Sequence, residues 1–94
     1  MINGDPREFL ETVYNGEDII YRYNGIRYFY QGYTKEDGLH MEVLKYDAVD
    51  EGLILDEVSH FSNTIEIFEN APIFEGKTFW QAEKDIEWLD GYTE

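Results

Sequence analysis

Cysteine is absent from the 94 residues, which excludes disulfides, thiolate metal sites and a cysteine nucleophile. No apolar run approaches the roughly 20 residues needed to cross a bilayer. The opening "MINGDPREFL" has none of the pattern of a signal peptide, so the expectation is a cytoplasmic protein. Cations are scarce. Seven Lys and Arg stand against 21 Asp and Glu, a net charge of −14, whereas a small domain is comfortable with a magnitude of about 2–8. Direct nucleic-acid binding is disfavoured, because phosphate affinity comes from Lys and Arg. Anionic membrane surfaces are disfavoured for the same reason. What such a chain attracts is a basic partner, unless the charge serves only solubility.

Aromatics, by contrast, are plentiful. Eight Tyr, six Phe and two Trp make up 17% of the chain, and hydrophobic residues 43%. That composition argues for a packed core rather than disorder, and the length suits one domain spanning residues 1–94.

The first element is a short helix over about 6–14. Asp5 can cap it, Pro6 suits the first helical position, and Glu8 stands three residues after the cap. Phe9, Leu10, Val13 and Tyr14 form its apolar face, and Asn15-Gly16 ends it. Then comes "DIIYRYNGIRYFYQGY", where Asn24-Gly25 between two β-rich runs predicts a two-residue hairpin turn. That turn sets Tyr23 opposite Ile26, Tyr21 opposite Tyr28 and Ile19 opposite Tyr30, one aromatic face. The other face sets Arg22 against Arg27 and Ile20 against Phe29. Two facing arginines call for nearby acids, and a third strand, "LHMEVLKY", is expected to bring Glu42 within reach.

A fourth, short strand is expected over 53–58. The period then switches to helical in "SNTIEIFENA", with Ser62 or Asn63 as cap, Ile65, Phe68 and Ala71 inward, and Pro72 at the exit. Thr78 to Gln81 is a capping-box pattern. From it a third helix is predicted, with Phe79, Ala82, Ile86 and Leu89 inward and Gly91 as the stop. The expected fold is α+β: an N-terminal helix, an antiparallel three- to four-stranded sheet, and two C-terminal helices packed on one face.

Little in the chain suggests catalysis. His40 and His60 are the only imidazoles, and neither Ser59 nor Ser62 beside His60 has the glycines of a nucleophile elbow. No glycine-rich phosphate loop occurs. Aligning Gly52 with the invariant glycine of a calcium loop puts Val49 and Val58 where positions 3 and 12 need oxygen ligands. No cofactor, metal or enzymatic activity is therefore expected.

Surface is what remains. On a helix, Glu83, Glu87 and Asp90 fall at i, i+4 and i+7, one acidic stripe. Glu66 and Glu69 repeat the pattern on the second helix, and Asp47, Asp50, Glu51, Asp56 and Glu57 crowd the segment before it. A row of carboxylates can stand in for phosphates in a groove built for nucleic acid. Trp80, near Glu83 and Glu87 on the helical wheel, is the candidate apolar anchor.

The stretches "EFLETVYNGEDIIYRYNGIRYFYQGY" and "NAPIFEGKTFWQAEKDIEWLDG" resemble a group of small, uncharacterised, acidic proteins from bacteria and mobile elements. In size, acidity and lack of a catalytic pattern the chain is also similar to anti-CRISPR proteins and other DNA mimics. That resemblance implies a non-enzymatic inhibitor that blocks a basic, nucleic-acid-binding partner such as a Cas effector. The alternative is a small cytoplasmic interaction or structural domain whose acidity serves solubility, and which binds through Tyr21, Tyr23, Tyr28 and Tyr30.

Overall fold

The computed structural model describes residues 1–46 and 51–89. Helix α1 runs Pro6–Tyr14, and the Asp5 carboxylate accepts a hydrogen bond from the Arg7 N–H at 2.8 Å. It buries Phe9, Leu10 and Val13, while Tyr14 turns outward. Strands β1 (Ile19–Tyr23) and β2 (Ile26–Lys35) follow as a hairpin in the expected register. Both turn residues have positive φ, 53° at Asn24 and 79° at Gly25. That is the left-handed pair a type I′ turn needs to match the strand twist.

Strands β3 (Gly38–Lys45) and β4 (Gly52–Ser59) extend the sheet antiparallel. The register shifts between Val43 and Leu44, where they meet Leu55 and Leu53, so Ile54 is the extra residue of a bulge. Helix α2 is Thr64–Asn70. The Asn63 side chain bonds the His60 N–H at 3.0 Å and makes no hydrogen bond to the helix as its cap. A second tight turn, Glu75-Gly76, again has both φ values positive, 55° and 85°, and closes the Phe74–Lys77 bridge.

The C-terminal expectation needs correction. Residues 79–89 form no long helix. Helix α3 is the single turn Phe79–Ala82, a 3-10 turn covers Glu83–Asp85, and Ile86–Trp88 is a fifth strand, β5. The Thr78–Gln81 capping box is present, but it caps only that turn. Two physical reasons favour the change. A longer helix would stack like charges one turn apart and place them toward its negative C-terminal end. Meanwhile β1 would keep an unpaired edge, which Ile86–Trp88 instead fills, with Tyr21 opposite Trp88 and Tyr23 opposite Ile86. The outcome is an α+β fold whose five-stranded antiparallel sheet has the order β4-β3-β2-β1-β5.

The helices pack on one face of this sheet. Strand residues Ile19, Tyr21, Tyr23, Tyr28, Tyr30, Met41, Val43 and Ile86 meet Phe9, Phe68, Phe74 and Phe79 in one cluster. Its centre is a ring stack. Phe9 lies 5.5 Å from Phe79 and from Tyr21, 6.0 Å from Phe68 and 5.3 Å from Trp88. The Tyr30 hydroxyl donates to the Val13 carbonyl at 2.8 Å, tying sheet to helix. Burial pushes the Tyr21 and Tyr30 phenols well above their ordinary range, so both act as neutral aromatics. The aromatic hairpin face is thus the core. It cannot be the exposed binding surface that the alternative reading requires.

Candidate protein-binding surface

The acidic residues singled out from the sequence do not form one stripe. Glu83 lies in the 3-10 turn and takes the N-terminal ammonium of Met1 as its partner. Glu87 sits on β5, where it accepts from Arg22 Nη1 at 2.9 Å. Glu69 accepts from the Trp80 indole N–H at 2.7 Å. These three carboxylates hold the fold's own donors. The periodic stripe existed only on a helix that stops at Ala82. Asp90, Asp47 and Asp50 lie outside the described residues.

Trp80 does reach the surface, 49% exposed, with its ring edge-on to Phe79 at 5.0 Å. Its neighbour is Glu69 of α2 rather than Glu83 and Glu87.

Four other acids lie at the β4 edge and on α2, with Asp56 opposite Glu42 on the sheet face away from the helices and Glu57 opposite Met41 on the helix-facing side. Glu51, Asp56 and Glu57 are exposed on or beside β4, and Glu66 is exposed on α2. None of the four is ion-paired among the described residues. Between β4 and α2 lies an open cleft of about 390 Å³, lined by Ile54, Leu55, Glu57, Ile67, Asn70, Ala71, Pro72 and Ile73. A second cleft of about 400 Å³ continues from it, sharing Ile54, Pro72 and Ile73 and adding Lys45 and Glu75. Lys45 is 7% exposed, and its Nζ donates to Glu75 Oε2 at 2.8 Å. Tyr28 donates to the same oxygen at 3.4 Å. Glu75 was not singled out in the sequence, since only the fold shows that its turn brings it over β3.

The sheet face away from the helices carries a second surface. Arg22 and Arg27 face each other there as expected, but Glu42 does not answer them. It instead accepts from Gln31 Nε2 at 2.7 Å and from the Tyr33 hydroxyl at 3.4 Å. β5, which the helix prediction hid, supplies Glu87 to Arg22, and the Arg27 guanidinium lies over the Tyr46 ring at 5.6 Å. Partial desolvation, then the charges of Glu42, Asp56 and Asp37, raise the Tyr33 phenol above its ordinary value.

His40 stacks on Tyr33 at 5.0 Å, and its Nε2 bonds Asp37 Oδ1 at 2.8 Å. That His–Asp pair sits on an open surface, with the Asp37 side chain 62% exposed. Ser59 is buried and its hydroxyl is shared with Thr64 at 2.6 Å, while His60 points to solvent. Among the described residues no three Asp, Glu or His converge to hold a metal ion, and no helix is long and apolar enough to cross a membrane. No known protein family, curated protein or solved structure matches the chain.

Proposed function

We propose that the protein is a non-enzymatic, acidic binding protein that occupies the basic surface of a partner. Its most specific form is a nucleic-acid mimic that inhibits a nucleic-acid-binding protein, as an anti-CRISPR protein inhibits a Cas effector. The observation that supports the reading is the set of Glu51, Asp56, Glu57 and Glu66, four exposed carboxylates without ion partners among the described residues, on or beside the edge strand β4 and on α2, in a chain of net charge −14. The helical stripe that first suggested mimicry lends no support, because Glu83, Glu87 and Glu69 serve internal contacts. The apolar cleft beside Glu57 supplies the uncharged contact area that charge alone lacks.

The test is capture of a partner from an extract of the producing cell at two salt concentrations. The wild-type chain is compared with a variant carrying Glu51→Gln, Asp56→Asn, Glu57→Gln and Glu66→Gln. A charge-driven contact weakens steeply with salt and with the variant, and nucleic acid competes for the same partner. Capture that ignores both salt and the four substitutions overturns the proposal.

A second reading draws on one specific observation. β4 is one of the two edges of the sheet among the described residues, and it carries Asp56, Glu57 and a bulge. Charges and bulges on an edge strand block edge-to-edge aggregation. On this account the same carboxylates protect a small interaction domain, and the four substitutions cause aggregation rather than loss of a partner.

A further inference from the structure

The two edges of the sheet are not alike. At β5 the chain itself supplies a partner, since the Ile2 N–H donates to the Ile86 carbonyl at 2.8 Å. At β4, among the described residues, no backbone hydrogen bond joins the strand to anything but β3. Past the bulge at Ile54 the ladder runs without a shift from Leu55 to Ser59. That stretch leaves a short, regular row of outward N–H and C=O groups, a template for one more strand.

The side chains along the row decide which strand fits. Leu55 and Glu57 point to the helix side, where both line the open cleft against α2. Asp56 and Val58 point to the other face, and both are exposed. Because side chains alternate along a strand, Asp56 and Glu57 place one carboxylate on each face. Asp56 also stands directly opposite Glu42, and like charges in that position destabilise a ladder. Glu42 is held by Gln31 and Tyr33, while Asp56 has no ion partner among the described residues. The open side of β4 is where a cation can reach Asp56 without disturbing the sheet. A second copy of β4 would bring more acid to that place, and nucleic acid would bring phosphate, so neither suits it.

We infer that β4 takes up an extended basic segment of a partner protein as a sixth strand. The inference rests on the acidic-binding reading above and names the element of the partner that is held. Read from its N-terminus and paired antiparallel, the segment sets an apolar residue against Val58 and basic residues against Glu57 and Asp56. A second apolar residue then lies against Leu55 and enters the cleft. Backbone bonds supply affinity, and the two carboxylates select a basic strand over others. The bulge and the charges that keep like edges apart also limit this edge to a short basic strand.

The probe is acetyl-Thr-Val-Lys-Arg-Leu-Thr-amide, titrated into the isotope-labelled full chain and followed by amide NMR. Shifts are expected from Leu55 to Ser59 and around the cleft, with slowed hydrogen exchange in β4. Methylating alternate backbone nitrogens of the peptide, in either of the two phases, gives two analogues. The analogue whose methyls face β4 binds about tenfold more weakly or worse. The other keeps its affinity, because only a paired strand distinguishes the two phases. Asp56→Lys combined with Glu57→Lys, both at exposed positions, rejects the probe and takes acetyl-Thr-Val-Glu-Glu-Leu-Thr-amide instead. Failure of the probe to bind, equal binding of the two methylated analogues, or an unchanged preference in the folded charge-reversed chain overturns the inference. None of these results touches the salt-dependent capture of a partner, which tests the acidic-binding reading by itself.

Discussion

Arg22 and Glu87 face each other across the β1–β5 ladder, and Arg22 Nη1 donates to Glu87 Oε1 at 2.9 Å. The pair sits half in solvent, so its worth is that of a surface ion pair, about 0.2–1 kcal/mol. Its placement is more informative than its energy, because it exists only if residues 86–88 are a strand.

Ile86 and Glu87 therefore separate the two contributions of β5. Ile86 is fully buried on the helix-facing side, and Ile86→Ala should cost about 2–4 kcal/mol in urea unfolding. Glu87→Gln should cost less than about 1 kcal/mol. Equal, small losses at both positions would contradict the strand.

Gly38 begins β3 with φ at +131°, and a Cβ there would lie 2.0 Å from the Ser59 carbonyl oxygen. Both the backbone conformation and the close approach of β4 require glycine. Gly38→Ala should lower stability by about 2–4 kcal/mol, a fall of roughly 10 °C or more in Tm for a domain of this size. Gly25→Ala, where a Cβ meets nothing within 4 Å, should cost clearly less.

Lys45, nearly buried, and Glu75, partly exposed, form an ion pair at the mouth of the second cleft. Glu75→Ala removes one partner of a buried ammonium and should cost about 1–2 kcal/mol, less than a fully buried pair because Glu75 is partly exposed. Lys45→Met replaces the charge with an apolar chain of similar length and should cost less, because the Glu75 side chain, 40% exposed, keeps its hydration when left alone. Thermal melts of both variants check this, and a larger loss for Lys45→Met than for Glu75→Ala would refute it.

Asp37 carries a pH signature. The hydrogen bond from His40 is the main cause that holds its carboxyl below the ordinary 3.8. A depressed folded pKa adds stability that is present above the unfolded value and lost as pH falls through the folded one. The Tm advantage of wild type over Asp37→Asn should accordingly be present just above the ordinary 3.8 and be lost as pH falls further, through the lower folded value. A difference that grows on acidification would reverse the assignment.

Much of the fold was legible in the chain. Asp5-Pro6 placed α1 within its true bounds, and Asn24-Gly25 set the hairpin register residue by residue, because caps and tight turns are decided by a few adjacent side chains. The third helix misled because Phe79, Ala82 and Ile86 satisfy a helical spacing and also fit one helical turn followed by a strand. The alternation Asp85-Ile86-Glu87-Trp88 was the signal for the latter, too short to outweigh a capping box.

The candidate surface was less legible. Composition alone established that the chain is acidic and lacks cysteine. Which carboxylates remain available was decided only when Met1, Arg22 and Trp80, all remote in sequence from at least one acid they hold, took Glu83, Glu87 and Glu69. The sheet face away from the helices likewise needs strands distant in sequence to pair in register. Local turns and caps follow from neighbours along the chain, whereas edges, pairings and open faces follow from what packs across it.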